Sequence, residues 1–396
     1  MKDRQQRFIV FVVERDRALA ARIRGMFEKG PFLVYCCEDE SQALSLMEAV
    51  VADLVVCNLG AITGDSRDFF RQVRQRNPGT IRTVYGEEKD RRELLHHLLS
   101  GLAQRYLLLP WEKNRMAAGL ARDLRTRSRL RLKTCWKYLD EQEQIPGVPE
   151  LVAALEEVLA NPDFLIRDVV RVVERDPGIT ARLIGVVNSP AFTRGVVIND
   201  LGMAVSYLGV HTIRELLLYF CAMEMFPASD QSRSLLHATT RSCYITSLLA
   251  KQIAADLAPS MIREIASTAL LHDIGKLVMI SRAGSLIAGL LPAGQEWLAQ
   301  EQEEELFGFG HDELGACLLL RWNLPMSLVE AAANHHSPLA ELRGACKIVA
   351  IAERCLREVI RGVEDEELPK LPAGMDLDGW RRQAGLLWRE TSLLFA

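Results

Sequence analysis

Residues 8–13 read FIVFVV and form the first of five short apolar runs that alternate with helical patterns. The other four runs begin at Phe32, Asp53, Ile81 and Tyr106. Strands that alternate with amphipathic helices form βαβ units, which build a parallel sheet covered on both faces. We therefore predict a five-stranded, flavodoxin-like α/β domain over residues 6–125. In such a fold the functional site lies beyond the carboxyl ends of the strands.

The composition is that of an ordinary folded protein. The chain has 396 residues, 49% of them hydrophobic and 25% charged, which argues against disorder and fibrous architecture. The formal net charge of −4 offers no cationic excess, so nucleic acid is not a favoured partner. The apolar runs are shorter than a membrane span of about 18–20 residues, and the first residues do not resemble a secretory signal. We expect no membrane association and a cytoplasmic location. Nine cysteines without a CxxC pair argue against a disulfide framework or a zinc ribbon.

The second half of the chain is predicted to be entirely helical. After Pro149 the apolar residues recur at helical spacing, with no strand pattern between them. This predicts an all-α domain over residues 145–396, in which Asp163 and Asp176 are expected to be helix N-caps. An arginine-rich helical connector is predicted at residues 116–143. We interpret its charges as a solvated helix face, with contact to an anionic partner as the alternative.

Two further features have a structural interpretation. The acidic run at residues 301–305 is expected on the solvated surface. Trp297, Trp322 and Trp380 are expected to anchor the core, because no interleaved basic and aromatic pattern surrounds them. The amphipathic stretch at residues 380–394 is expected either to dock as a final helix or to form a dimer contact.

The ends of the predicted strands carry a first family resemblance. Residues 12–19 and 53–59 resemble the segments of response-regulator receiver domains that bind Mg²⁺ and accept a phosphoryl group, and the resemblance covers residues 6–125. It implies an acidic pair, an aspartate, a serine or threonine and a lysine at the functional positions. This chain instead has Glu14 with Arg15, Asn58, Tyr85 and Leu109 at those positions. Because an amide is not a carboxylate nucleophile, we predict a pseudo-receiver that keeps the fold and has lost phosphorylation.

The histidines form the most informative chemical pattern. Five of the eight lie within one hundred residues of the helical part, namely His237, His272, His311, His335 and His336. His272 is followed directly by Asp273. Imidazoles and a carboxylate from different helices can bind a divalent metal, which lowers the pKa of bound water. A hydrogen-bonded core histidine is the alternative for any one of them. Adjacent histidines on one helix point about 100° apart, so both bind only with two metals or with one in an outer position.

The context of the His-Asp pair carries a second resemblance. Residues 269–277, ALLHDIGKL, resemble the signature of the HD superfamily of metal-dependent phosphohydrolases. The surrounding chain is similar to the HDOD family, a signalling branch of that superfamily. The other matching segments are residues 146–149, 176–192, 204–209, 236–237, 310–316, 322–325 and 335–338. The family implies a helical output or scaffolding module, paired with sensory or receiver domains in bacteria, for which catalysis is generally not established.

The HD resemblance implies a ligand set for a divalent transition metal such as Mn, Fe or Zn. Its members are His237, His272, Asp273, His311, His335, His336 and Glu353, the last in place of the usual aspartate. Lys276 is the residue that could balance phosphate charge in an active enzyme. Ser337 and Pro338 follow the paired histidines, whereas the cyclic-di-GMP phosphodiesterase branch has a glutamate and a Gly-Tyr-Pro segment there. The sequence therefore argues against cyclic-di-GMP hydrolysis.

Two functions remain open at this point. The first is a signalling regulator that acts through protein partners, in which any metal is structural. The second is a phosphohydrolase that acts on a phosphoester or nucleotide. We favour the regulator, because the α/β domain lacks its phosphorylation chemistry and no substrate-binding motif is evident. A homodimer is compatible with either function.

Overall fold

The computed structural model describes residues 7–28, 30–99, 102–111, 113–140, 150–161, 163–188, 198–225, 229, 232–291, 297–368 and 375–391. The chain divides into two compact units by its internal contacts. The α/β unit comprises residues 1–132 with 319–326, and the helical unit comprises residues 133–318 with 327–396.

The α/β unit contains a parallel five-stranded sheet, as predicted. The strands are β1 Phe8–Val13, β2 Phe32–Cys37, β3 Leu54–Asn58, β4 Ile81–Gly86 and β5 Arg105–Leu108, in the order β2-β1-β3-β4-β5. The helices of this unit are α1 Arg17–Arg24, α2 Glu40–Leu46, α3 Ser66–Arg76, α4 Arg91–Leu99 and α5 Lys113–Arg129. In β1 and β3 the apolar runs are buried on both faces, which explains why they show no polar alternation.

Register within the sheet brings the strand ends together. Val13 pairs with Cys57, and Asn58 pairs with Tyr85 across the neighbouring strand. All the pairings are parallel, so the carboxyl ends of β1, β3 and β4 lie at one edge of the sheet. This is the edge where the sequence predicted the functional positions of the α/β domain.

The helical unit contains helices throughout its described residues, and this part of the fold prediction is also confirmed. Their bounds are α6 Leu132–Asp140, α7 Glu150–Ala160, α8 Ile166–Val173, α9 Pro177–Val187, α10 Leu201–Leu208, α11 Val210–Met225, α12 Arg233–Leu257, α13 Ile262–Leu271, α14 Ile274–Leu290, α15 Gln300–Phe307, α16 His311–Arg321, α17 Met326–Asn334, α18 Gly344–Arg361 and α19 Leu377–Glu390.

The predicted helix caps have different outcomes. Asp176 caps α9 as expected, because its Oδ1 accepts a hydrogen bond from Ile179 N at 3.0 Å. The prediction for Asp163 is wrong, since α8 begins only at Ile166 and the carboxylate that binds its preceding backbone N–H belongs to Asp168. The predicted connector region contains α5 and α6. Its last residues and the predicted domain start at residue 145 lie outside the described residues.

The core of the helical unit lies where α12 packs against α13 and α18, with α19 laid over α18. Trp380 of α19 is 3% exposed in this core, and its Nε1 donates to Asp256 at 2.8 Å. Trp297 and Trp322 are buried as well, so the prediction of three core tryptophans is confirmed. Among the described residues, no helix combines the length and the apolar character needed to cross a membrane.

Candidate metal centre

His272 and Asp273 lie in the short turn between α13 and α14, and this turn faces the start of α16. Gly275 makes the close approach possible: a Cβ atom there would lie 1.9 Å from the carbonyl oxygen of His311. Gly315, one turn further along α16, packs against the same backbone. The two glycines therefore bring the His-Asp turn within contact distance of His311.

Four side chains in and around this turn share one pattern, in which a protein group holds one polar atom of each side chain. His272 Nδ1 donates to the carbonyl of Ala269 at 2.6 Å, and His335 Nδ1 is 2.9 Å from the carbonyl of Ala332. The partner of Asp273 Oδ2 is Lys276 Nζ at 2.6 Å, and the partner of Glu353 Oε1 is Arg357 Nη2 at 2.5 Å. These contacts fix the orientation of all four side chains.

The remaining polar atom of each of these four side chains is buried and makes no hydrogen bond of good geometry, although three of the four lie 3.2–3.4 Å from an imidazole or carboxylate atom of the same cluster. These atoms are His272 Nε2, Asp273 Oδ1, His335 Nε2 and Glu353 Oε2. Donor atoms of His272, His335 and Glu353 lie within 4.8 Å of one another, and Asp273 Oδ1 is 3.4 Å from His335 Nε2. Because a buried polar atom that lacks a well-formed hydrogen bond costs up to about 1–3 kcal/mol, four at one place need an explanation.

Burial and neighbouring charges shift the pKa values of His272, Asp273 and Glu353 in the direction that a metal ligand requires. Burial lowers the pKa of His272, which favours the neutral imidazole. Burial acts to raise the pKa of Asp273, but Lys276 and the nearby histidines outweigh it and hold this pKa well below its usual range. Burial likewise opposes ionisation of Glu353, but Arg357 and the histidines hold its pKa low. Neutral imidazoles and ionised carboxylates bind divalent ions without first losing a proton.

His311 and His336 form a pair beside these four side chains. Their Nε2 atoms are 3.0 Å apart, and His311 Nε2 also lies 3.2 Å from Asp273 Oδ1. On its other side His311 Nδ1 contacts the carboxylate of Glu303 at 2.7 Å. Burial and Lys276 act to lower the pKa of His311, but Glu303 and Asp273 raise it to about 9.

The adjacent histidines are not arranged as the sequence suggested. α17 ends at Asn334, so His335 and His336 lie in the turn that follows it. Their ring centroids are only 3.9 Å apart, and the expected separation of about 100° on a helix does not apply. The structure brings together Asp273, His311, His335 and His336 as one group of donor atoms, and His272, His335 and Glu353 as another. His237, half-buried on α12, belongs to neither group.

Lys276 and two arginines give the cavity beside the site a cationic wall. Lys276, Arg357 and Arg361 line it, together with Thr246 from α12. The hydroxyl of Thr246 is buried there without a hydrogen-bond partner. Asp273 and Glu353 line the same cavity, so its three cations exceed its two carboxylates by one positive charge, which favours an anionic group over a neutral one.

The strand-end site of the α/β unit has the opposite character, because its polar side chains satisfy one another. Tyr85 donates its hydroxyl to Glu14 Oε2 at 2.5 Å, and Asn58 Nδ2 donates to the same oxygen at 2.7 Å. Glu14 Oε1 accepts from Asp16 N, and Asn58 Oδ1 accepts from Gly60 N. Burial and the bond to Glu14 raise the pKa of Tyr85, so its hydroxyl stays protonated.

The other two predicted receiver positions take no part in this network. Arg15 is exposed beside it. Leu109 follows β5, and its backbone N–H donates to the carbonyl of Gly86 at 2.8 Å. The ring of Trp111 contacts Tyr85 edge-on, with 4.8 Å between the centroids. Tyr85 is thereby held between Glu14 and Trp111.

The sequence did not identify two functional neighbours of the metal centre. Glu303 was expected on the surface with the rest of its acidic run, but it is 0% exposed and contacts His311, so that prediction is wrong for this residue. Its neighbours Glu301, Glu304 and Glu305 are exposed as expected. Arg357 was also missed, and its position four residues after Glu353 is the only signal that could have found it.

Comparisons with known proteins identify the helical part. Residues 145–338 match the HDOD domain family. This segment is an HDOD domain. Over 237 residues the chain is 26% identical to an uncharacterized protein of Treponema pallidum (strain Nichols), a match that covers 58% of this chain and 46% of that protein. The chain thus matches about half the length of this relative.

Two solved structures are similar to the HDOD-containing chain. One is an HDOD domain protein of unknown function from Geobacter sulfurreducens, with 22% identity and a TM-score of 0.48, covering 66% of this chain and 94% of that one. The other, described as a candidate phosphohydrolase, is from Shewanella amazonensis SB2B. It is 20% identical to this chain with a TM-score of 0.50, and the match covers 66% of this chain and 98% of the Shewanella chain. The second likeness supports the fold.

Proposed function

We propose that this chain is a bacterial signalling regulator in which an α/β unit that accepts no phosphoryl group is joined to an HDOD domain that holds one divalent transition metal. Output is through contacts with protein partners. The observation that carries the metal assignment is the shared pattern of His272, Asp273, His335 and Glu353. In each, one polar atom is held by a protein partner and the other is buried without a well-formed hydrogen bond.

The donor chemistry of these four side chains suits a divalent transition metal. Two imidazole nitrogens and two carboxylate oxygens are a ligand set for Zn, Mn or Fe. Because His335 Nδ1 already contacts backbone carbonyls, only its Nε2 is available, and it serves one ion. A single metal therefore fits better than two. His311 and His336, which contact each other, would then lie next to the metal ligands.

The metal would carry the charge that the two carboxylates otherwise share with Lys276 and Arg357. Lys276 Nζ and Arg357 Nη2 contact Asp273 Oδ2 and Glu353 Oε1, so an ion held by the other oxygen of each carboxylate would not require either cation to leave. Such outer contacts orient ligands and raise metal affinity.

Metal analysis of untagged full-length protein, purified without a chelator, tests the metal site. We expect close to one Zn, Mn or Fe per chain in the wild type and background levels in Asp273→Asn. His237→Ala is the matched control, because His237 is the histidine of the cluster that belongs to neither donor group. Loss of metal in His237→Ala, or metal retained in Asp273→Asn, would contradict the four-residue site.

The α/β part of the proposal rests on the hydrogen bonds among Glu14, Asn58 and Tyr85. Phosphoryl transfer to an aspartate requires a carboxylate nucleophile, and Asn58 supplies an amide that is already bonded. Incubation with acetyl phosphate and Mg²⁺ should leave the chain unlabelled under conditions that label an active receiver domain. Labelling of any residue of the α/β unit would refute this part.

A second candidate function is metal-dependent hydrolysis of a phosphoester or nucleotide. The cationic wall formed by Lys276, Arg357 and Arg361 favours it, since these residues line the cavity that also reaches His272 and Asp273. Assays of the metal-loaded protein with mononucleotides, cyclic dinucleotides and ppGpp distinguish the two functions. Turnover that disappears in Asp273→Asn would favour the enzyme, and bound metal without turnover would favour the regulator.

A further inference from the structure

Glu303 is a buried carboxylate on which three hydrogen-bond donors converge. His311 donates from its backbone N to Oε2 at 2.7 Å, and its ring Nδ1 contacts Oε1 at 2.7 Å and Oε2 at 2.8 Å. The third donor is Trp297 Nε1. A carboxylate accepts at both oxygens and donates from neither, so it can satisfy all three donors. The other acidic residues of α15 are exposed.

The bond to Glu303 determines where the other nitrogen of His311 lies. With Nδ1 held, Nε2 faces the metal centre, 3.2 Å from Asp273 Oδ1 and 3.0 Å from His336 Nε2. The bond that the backbone N–H of His311 donates to Glu303 also fixes the first residue of α16, which packs against Gly275 beside Asp273. Glu303 therefore acts on Asp273 indirectly, through its two contacts with His311. Among the described hydrogen bonds, none joins the two carboxylates directly.

We propose that Glu303 is a positioning residue of the metal centre. Through His311 it fixes the orientation of Asp273 and His336 without binding the ion itself. The inference rests on the proposed function, in that it requires a metal at Asp273. Loss of an outer partner of this kind typically weakens metal binding by about 10–100-fold.

Glu303→Gln is the sharpest probe, because it keeps the shape of the side chain. It removes the charge and turns one acceptor oxygen into an NH₂ donor, which then faces donors from His311 or Trp297. Two matched variants accompany it. Glu305→Gln makes the same change at an exposed position of α15. Trp297→Phe removes one donor to Glu303 and keeps both bonds to His311.

The experiment titrates the metal-free, untagged full chain with Co²⁺ and follows the visible absorption bands, which report affinity and coordination geometry. The melting temperature of each metal-free protein is measured in parallel. We expect Glu303→Gln to weaken Co²⁺ binding by about 10–100-fold and to change the bands. Glu305→Gln should match the wild type. Trp297→Phe should lower the melting temperature and leave the Co²⁺ affinity unchanged.

Wild-type affinity in Glu303→Gln would overturn the proposal, and so would an equal loss of affinity in Trp297→Phe, since Glu303 would then support only the fold. If Glu303→Gln does not fold, Glu303→Asp keeps the charge with a shorter reach. It must also weaken Co²⁺ binding, and wild-type affinity there would overturn the proposal. A wild-type protein that binds no Co²⁺ would refute the metal centre itself, a result distinct from a Glu303 variant that binds normally.

Discussion

Asn58→Asp should destabilise the α/β unit in a pH-dependent way. Asn58 Nδ2 donates to Glu14 Oε2 at 2.7 Å, and the substitution places a carboxylate oxygen against that acceptor. Loss of this hydrogen bond to a charged acceptor lowers the stability by about 1.5–3 kcal/mol. Two carboxylates with charge centres about 4 Å apart repel by about 4 kcal/mol at an effective dielectric constant of 20.

Protonation limits the total cost of this substitution. Neutralising one carboxyl group with an ordinary pKa near 3.9 costs about 4 kcal/mol at pH 7 and about 1.5 kcal/mol at pH 5. The protonated group can donate to Glu14 as the amide did. The pKa of the new carboxyl group is therefore raised in the folded state, and the unfolded chain loses its proton first. The free energy of unfolding of the variant should therefore lie below that of the wild type by about 1.5 kcal/mol at pH 5 and by about 3–4 kcal/mol at pH 7.

Urea denaturation at both pH values measures this difference, with hydrogen exchange of β3 peptides reporting on the α/β unit alone. Asn58→Ala is the matched control, because it removes the donor without adding a charge and its cost should be the same at both pH values. A penalty for Asn58→Asp that does not change with pH would show that Glu14 is not a charged neighbour. Stability equal to the wild type at pH 7 would have the same meaning.

Three further substitutions test other contacts. Gly275→Ala should prevent metal binding and lower stability by about 1–3 kcal/mol or more, measured by metal analysis and urea denaturation, because its Cβ would lie 1.9 Å from His311 O. Arg105→Met should cost about 3–5 kcal/mol in urea denaturation, since it leaves the fully buried carboxylate of Asp123 without its bidentate partner. Trp380→Ala should cost about 3–5 kcal/mol by the same assay, through loss of a core side chain that is 3% exposed. A cost below about 1 kcal/mol in either of the last two variants would contradict the corresponding contact.

The fold could be predicted from the sequence because both units have strong periodic patterns. The runs that became β1 and β3 are apolar on both faces and are followed by amphipathic stretches, which few other architectures explain. Helix starts were less predictable. Asp163 and Asp176 have similar Asn-Pro and Asp-Pro surroundings, yet only Asp176 caps a helix, because the backbone after Asp163 becomes helical only at Ile166.

The members of the metal centre were partly predictable, but its geometry was not. The residue types at His272, Asp273 and His335 indicated metal binding, whereas the distinction between ligand and neighbour depends on which atoms already have partners. His237 shows this limit, because its residue type suggests a ligand and its place on α12 puts it outside both donor groups. Glu303 shows the converse, since nothing in an acidic run marks the one member whose side chain turns inward to His311.

The two candidate sites differ in how far protein groups satisfy their polar side chains. At the strand ends both oxygens of Glu14 accept hydrogen bonds from protein groups, and Asn58 is likewise bonded at both of its polar atoms. An added ion or phosphoryl group would have to break those bonds before forming its own. In the helical unit four buried atoms lack a well-formed hydrogen bond, at up to about 1–3 kcal/mol each, and a bound metal would recover part of that energy. Since a ligand binds where it satisfies more groups than it displaces, the proposed function predicts that metal occupancy of the helical unit, rather than phosphorylation of the sheet, is the chemical input to this chain.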